Sequence, residues 1–186
     1  MSEPALSLHP TYTWEDFLAL PDDDRRELVD GELVELEVST EPHEHIVARV
    51  IFFLTLWGRP RRARVHGSNY KIRISARRGF FPDVQLYLAD NPARGQKQGL
   101  EHGHPDLVVE VISPGTGRVD RLLKRDAYAG LGVPEYWIID PELRMLERLI
   151  LRDGLYAIAE GHSDDATFRP VSFEGLEIPL AELWEE

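Results

Sequence analysis

The sequence contains no cysteine. This absence excludes disulfide-linked partners, thiolate zinc sites and enzymes with a cysteine nucleophile. The longest apolar run, IVARVIFFLTLW, contains Arg49 and is shorter than the roughly 20 residues of a membrane-spanning helix. The first ten residues, MSEPALSLHP, lack the basic start and the apolar segment of a secretory signal. We therefore expect a cytoplasmic protein that does not bind a membrane.

Lysine is also scarce, with three residues in the chain, and the net charge is −12. This charge argues against a protein that coats nucleic acid without specificity. Between residues 59 and 80, however, eight basic residues occur with no acidic one. Such a strip is typical of a nucleic-acid backbone contact, or equally of a hairpin edge protected by charge from aggregation. As nucleic-acid-binding candidates we take Arg59, Arg61, Arg62, Arg64, Lys71 and Arg73.

The chain of 186 residues is long enough for a core of its own, and we expect one domain over residues 1–186. Hydrophobic periodicity and turn residues predict an α/β fold with a mixed sheet and additional antiparallel hairpins. The expected elements are a helix capped by Thr13, a hairpin at Asp30-Gly31, a helix over 42–57, short strands up to residue 89, and a βαβ unit of 106–112, 118–131 and 135–139.

Two predicted strands carry carboxylates that packing alone does not explain. Glu110 interrupts the apolar run LVVEVI, and Asp83 begins another strand directly after Pro82. A buried glutamate without a partner costs several kcal/mol, so a cation must offset it. If the strands pair, both carboxylates can bind one ion, and oxygen ligands favour magnesium or manganese over zinc. Alternatively, Glu110 forms a buried ion pair with Lys124, and Asp83 bonds to a turn.

The chain resembles the Uma-type family of restriction endonucleases, in the PD-(D/E)XK nuclease superfamily. The residues that carry the likeness are ELVDGELVEL, HEHI, PDVQLYL and PDLVVEVISPGTGRVDRLLKRDAYAGLGVPEYWIIDP. The likeness extends from TWEDFLAL to GLEIPLAELW, and its longest segment covers residues 105–141. It implies a restriction-endonuclease-like fold, with a mixed β-sheet core flanked by helices, and an endonuclease that hydrolyses phosphodiester bonds in DNA.

The resemblance assigns the family's two acidic motifs to Asp83 and Glu110. The nuclease pattern has a lysine two residues after the glutamate, where this chain has Ile112. The resemblance places the family's lysine on the following helix, at Lys124. The catalytic candidates are therefore Asp83, Glu110 and Lys124. The expected ligands of Mg²⁺, or of Mn²⁺, are the two carboxylates and the carbonyl of Val111.

Two further positions match the family near its site. Glu32 is a candidate for an extra ligand or a group that orders water, and His45 for a phosphate contact. Equally, Glu32 can be a charge at a hairpin edge and His45 a surface helix residue. Asp106 shares the face of Glu110, but four residues along a strand place it about 13 Å away. We therefore interpret Asp106 as a strand-entry residue.

A second function is open because lysine is missing at position 112 and the chain is acidic. In that case the protein is a catalytically degenerate nuclease fold that binds nucleic acid or a protein partner. The motifs of serine hydrolases, P-loop proteins, zincins and dinucleotide-binding proteins do not occur in the sequence. Because restriction-type nucleases often pair their subunits to cut both strands, we also expect a homodimer.

Overall fold

The computed structural model describes residues 11–36, 38–113 and 117–185, with side chains in the helix that starts at Gly117 described from Leu122 onwards. The predicted turn at 114–116 and the side chain of Asp120 lie outside the described residues. The described elements are α1 (Trp14–Leu18), β1 (Arg26–Val29), β2 (Glu32–Glu35), α2 (Glu41–Gly58), β3 (Arg64–Gly67), β4 (Ile72–Ser75), β5 (Arg78–Phe80), β6 (Val84–Tyr87), β7 (Leu107–Val111), α3 (Gly117–Leu131), β8 (Glu135–Asp140), β9 (Met145–Arg152), β10 (Leu155–Ser163), β11 (Thr167–Phe168), β12 (Ile178–Pro179) and α4 (Ala181–Trp184).

The first elements form a small sheet with strand order β2-β1-β5-β4. The Thr13 side chain accepts from the Asp16 amide, and the Asp16 carboxylate accepts from the Thr13 amide, so the predicted capping box is present. Asp30 and Gly31 have φ angles of 51° and 87°, which both positions of the predicted hairpin turn require. The strand β5 was not predicted, because its three residues include Gly79 and show no alternation.

The second sheet has six strands in the order β10-β9-β8-β7-β6-β3. Strands β7 and β8 are parallel and joined through α3, as predicted, while the other neighbours are antiparallel. The sheet is therefore mixed, and the predicted α/β class is confirmed. No helix among the described residues is long and apolar enough to span a membrane.

Both faces of the six-stranded sheet are covered, which explains the apolar runs in β7 and β8. Val109 and Val111 belong to the core that α2 shares with the C-terminal segment. Val108 lies in the core on the other face, together with Tyr128 of α3. Glu110 has the same orientation as Val108 by strand alternation. The fold therefore directs a carboxylate from a central strand towards the inner side of α3.

Candidate active site

Glu110 projects from the middle of the six-stranded sheet into the space under α3. Its side chain is 13% exposed. Its Oε1 accepts a hydrogen bond of 2.6 Å from the Tyr128 hydroxyl, and its Oε2 lies 3.4 Å from the Lys124 Nζ. Burial raises the pKa of Glu110 to about 8; Lys124 opposes this effect, and the nearby charges of Asp83 and Glu27 reinforce it.

Lys124 is buried on the inner side of α3, where the sequence pattern had placed it beside Glu110. Its Nζ lies 3.1 Å from the Oε1 of Glu27 as well as 3.4 Å from Glu110. The ammonium also lies 5.8 Å from the centre of the Phe80 ring. A buried ammonium between two carboxylates is held in place by both, because neither charge can be left unpaired cheaply.

Glu27 is a site residue that the sequence interpretation missed. It lies in β1 with a side chain that is 3% exposed, and its Oε1 also accepts a hydrogen bond of 2.9 Å from the Phe81 amide. Glu27 thus connects the small sheet to α3 through Lys124. An acidic residue inside the short strand RELV was the available signal. Because β1 has only four residues and stands next to a turn, the sequence gave no reason to expect that both faces of this strand are covered.

Asp83 stands one residue before β6, and its carboxylate faces the end of β7. Strand pairing aligns Val84 with Val109, so the register extended by one residue places Asp83 opposite Glu110. The Oδ2 of Asp83 accepts a hydrogen bond of 2.8 Å from the Val111 amide. The register and the effect of Asp83 on the pKa of Glu110 show that the two residues are neighbours. Their convergence on one ion stays a prediction.

His43 is the second residue that the sequence interpretation missed. It is buried near the start of α2, and its Nε2 lies 3.3 Å from the Oδ2 of Asp83. Burial lowers the pKa of His43, but the hydrogen bond and charge of Asp83, together with the charge of Glu44, outweigh burial and raise it above 6.5. The motif HEHI contains this histidine, and its position three residues before Ile46 and seven before Val50, on the apolar side of α2, was the available signal.

The two supporting residues of the sequence interpretation lie elsewhere. Glu32 is exposed at the start of β2, and no hydrogen bond or ion pair between described residues joins it to Asp83 or Glu110. His45 is half-buried and lies one turn before Arg49, which pairs with Glu182 of α4. Positions two apart on a helix face in nearly opposite directions. The structure thus brings His43, rather than His45, to Asp83.

Lys71 is not part of an exposed basic surface, contrary to the prediction. It is buried, and its Nζ donates a hydrogen bond of 2.7 Å to the Phe17 carbonyl. The ammonium also lies 4.8 Å and 5.5 Å from the ring centres of Phe17 and Phe81. Desolvation lowers its pKa. Lys71 therefore anchors α1 to the small sheet and does not present its charge to a ligand.

Four of the predicted arginines lie between the end of α2 and the start of β3, and Arg73 lies in β4. Arg64 pairs with Tyr87 at one end of β3, whereas Gly67 pairs with Val84 at the end near Asp83. The rise of a strand separates these ends by about 10 Å. Arg61 donates hydrogen bonds to the carbonyl of Trp57, near the end of α2, and to the carbonyl of Glu174 in the C-terminal segment. Of the remaining candidates, Arg59 and Arg62 are exposed after α2, and Arg73 is half-buried in β4.

A cleft of about 980 Å³ opens onto His43 and Asp83. Among the described residues that line it, five are acidic and only two, Arg25 and Arg26, are arginines. Arg26 is bound to Asp24 in its own loop. The cleft therefore connects solvent with Asp83, but its walls are predominantly negative.

The carboxylate and carbonyl oxygens in this region are donors of the kind that a hard divalent cation prefers. Among the described residues, no three histidine, aspartate or glutamate side chains are grouped so that they could hold one ion. Magnesium, however, is usually bound by one or two carboxylates and several waters. In the extended register Val111 faces Pro82, whose nitrogen has no hydrogen to donate to the Val111 carbonyl. Asp83, Glu110 and this carbonyl thus supply oxygen ligands where negative charge is in excess.

The mixed α/β fold is shared with a known structure. A solved structure from Anabaena variabilis ATCC 29413, described as "a putative nuclease belonging to DUF820", matches 92% of this chain and 97% of its own, with a TM-score of 0.74 and 18% identity. At that identity the match shows a shared fold. The Uma2 family model, described as "Putative restriction endonuclease", matches residues 14–181. The chain therefore belongs to the Uma2 family. Among curated proteins, none matches it.

Proposed function

We propose that the protein is a metal-dependent endonuclease that hydrolyses phosphodiester bonds in DNA at Asp83, Glu110 and Lys124. The observation that carries this proposal is a buried ammonium 3.4 Å from the carboxylate of Glu110, with Asp83 opposite Glu110 in the extended register of the adjacent strand. Membership of the Uma2 family supports the reaction class. The same geometry adds Glu27 to the residues that the sequence had indicated.

The proposed cation is Mg²⁺ or Mn²⁺, held by the carboxylates of Asp83 and Glu110 and the carbonyl of Val111. When bound, such an ion lowers the pKa of a water ligand and neutralises charge on a phosphate. Each carboxylate accepts a hydrogen bond from the protein. The Val111 amide donates to Asp83 at 2.8 Å, and the Tyr128 hydroxyl donates to Glu110 at 2.6 Å. These bonds orient the carboxylates before any ligand arrives.

In this proposal Lys124 has the function of the catalytic lysine of the nuclease pattern, because position 112 is an isoleucine. Its ammonium stabilises negative charge that develops on the phosphate, because a preorganised cation in a desolvated site acts more strongly than one in water. Glu27, at 3.1 Å, holds the ammonium beside Glu110. His43 positions Asp83 from the opposite side.

The test is cleavage of plasmid and oligonucleotide DNA with and without Mg²⁺ or Mn²⁺. Asp83→Asn and Glu110→Gln are expected to abolish cleavage, whereas Glu142→Gln, at an exposed turn, serves as the matched control. Isothermal titration of Mn²⁺ into each protein separates binding from chemistry, because loss of a carboxylate ligand should remove the heat of binding. Unchanged cleavage by both site variants contradicts the proposal.

The second candidate function is a binding module on a degenerate nuclease fold. It is favoured by one specific observation: Lys124 already neutralises two carboxylates through contacts of 3.1 Å and 3.4 Å, so the cluster is partly satisfied without a cation. This candidate predicts no heat of Mn²⁺ binding and no cleavage, together with nucleic-acid or protein binding that is insensitive to EDTA.

Two further predictions belong to the proposal. A homodimer would place two such sites on opposite strands of a duplex. Sedimentation equilibrium measures whether the protein is a dimer. If the exposed residues Arg59, Arg62 and Arg64 contact the DNA backbone, replacing them with alanine lowers the salt dependence of duplex binding. The variant neutralises fewer phosphates, so its binding releases fewer counterions.

A further inference from the structure

A second groove adjoins the cleft of the candidate site. It has a volume of about 490 Å³ and follows the edge strand β3 and the loop after it. Three lining residues, Glu44, Val47 and Ser68, are shared with the cleft that contains Asp83. The two depressions are therefore continuous, and a chain that occupies one can extend into the other.

Two stacked rings, His66 and Tyr70, line this second groove. Their centroids are 4.4 Å apart with an interplanar angle of 19°. The Tyr70 hydroxyl donates a 2.7 Å hydrogen bond to the Gln96 carbonyl, and the Tyr70 carbonyl accepts one of 2.6 Å from the buried Gln85. The ring pair is thus fixed at both ends before a ligand binds.

The ring pair is close to Asp83. His66 pairs with Gln85 across the strands, two residues from Asp83, which corresponds to about 7 Å along a strand. Gly67 lies between them, and a Cβ added there would be 4.0 Å from the Asp83 carbonyl. Burial and the charge of Arg64 lower the pKa of His66, so its ring is neutral at pH 7 and suits stacking better than phosphate binding.

The cleft beside this groove offers few cations to the phosphates of a duplex. Duplex binding depends on many phosphate contacts, whereas the net charge is −12 and acidic side chains outnumber arginines by five to two among the described residues of the cleft. Aromatic rings beside a narrow groove instead suit an unpaired base, because stacking is available to every base and does not depend on charge.

We propose that the groove at His66 and Tyr70 stacks one unpaired base next to the phosphodiester held at Asp83 and Glu110. The substrate class is therefore single-stranded DNA, or a locally unpaired segment of a duplex. This inference rests on the proposed nuclease function and adds the form of the substrate to it. Tyr70 acts in binding and is not a catalytic residue.

The experiment compares wild type, Tyr70→Ala and Tyr70→Phe on a short single strand that carries 2-aminopurine, and on the same strand annealed to its complement, with Mn²⁺. Tyr70→Phe is the matched control because it keeps the ring and loses only the bond to Gln96. We expect wild type to prefer the single strand, and Tyr70→Ala to raise the KM for it by about tenfold or more. Its kcat should change little.

A spectroscopic measurement accompanies the kinetics. Stacking quenches the fluorescence of 2-aminopurine, so wild type and Tyr70→Phe should quench it on binding and Tyr70→Ala should not. Wild type alone provides a decisive result if Tyr70→Ala does not fold: equal cleavage of single strand and duplex, or no quenching, overturns the stacking inference and leaves the nuclease proposal standing. If wild type cuts neither substrate, the proposed function itself fails.

Discussion

Replacing Glu110 with glutamine should make the protein more stable at alkaline pH. The amide keeps the size of the side chain. With its oxygen towards Lys124 and its nitrogen donating to the Tyr128 hydroxyl, it can occupy both positions of the carboxylate, where the contacts are 3.4 Å and 2.6 Å long. The hydrogen bond to Tyr128 then reverses its direction. The change therefore removes a buried negative charge and creates little new strain.

The magnitude follows from the pKa of Glu110, which burial raises from 4.5 to about 8. A carboxyl that binds its proton more tightly in the folded state contributes stability that is complete below pH 4.5 and is lost as the pH rises to 8. The difference corresponds to at most about 5 kcal/mol. The free energy of unfolding of the wild type, measured relative to Glu110→Gln, should fall by several kcal/mol between pH 5 and 8.

The assay is urea unfolding followed by circular dichroism at several pH values in this range, for both proteins, without divalent cations. Taking the difference between them cancels the other titrating groups. Excess Mg²⁺ should then restore stability to the wild type at pH 8 by mass action, and should stabilise the variant far less. A difference that stays constant from pH 5 to 8 would refute the assignment of a buried, proton-binding Glu110.

Three other substitutions test separate parts of the structure. Lys124→Met should cost about 3–5 kcal/mol of unfolding free energy at pH 8, because two carboxylates lose their cation, and should abolish cleavage; urea titration and a cleavage assay measure the two effects. Lys71→Met should cost about 1–3 kcal/mol, since the Phe17 carbonyl loses its donor, yet leave the salt dependence of DNA binding unchanged in fluorescence anisotropy. His43→Gln should remove a stabilising contribution that is complete below pH 6.5 and is lost as the pH rises through the higher pKa of the folded state. Nuclear magnetic resonance titration of His43, in the wild type and in Asp83→Asn, measures how far Asp83 causes the raised pKa.

Features that depend on neighbouring residues in the chain were predictable from the sequence. The capping box at Thr13 and the turn at Asp30-Gly31 need only residues within a few positions of one another. The apolar runs of β7 and β8 showed that both faces of these strands are covered, and the intervening helix implied that they are parallel. The placement of Lys124 beside Glu110 followed from the same unit.

Features that depend on how separate elements meet were not predictable. Glu27 lies in another sheet, 83 positions before Glu110 in the numbering, and is brought to Lys124 only by the packing of that sheet against α3. His43 differs in this respect: it lies three residues before Ile46 and seven before Val50, so helical spacing already separated it from His45. Only its contact with Asp83 needed the tertiary structure.

Lys71 shows the same limit for charge. In the sequence it belongs to a basic strip, whereas in the structure its ammonium is bound to the Phe17 carbonyl and enclosed by aromatic rings. The sequence by itself determined the class of fold and the family, and it singled out Asp83 and Glu110 as candidates, because periodicity, turns and motifs are local in the chain. The tertiary structure alone decided which further side chains complete the site and which charges reach solvent, because burial and contact are properties of surfaces that exist only after the elements pack.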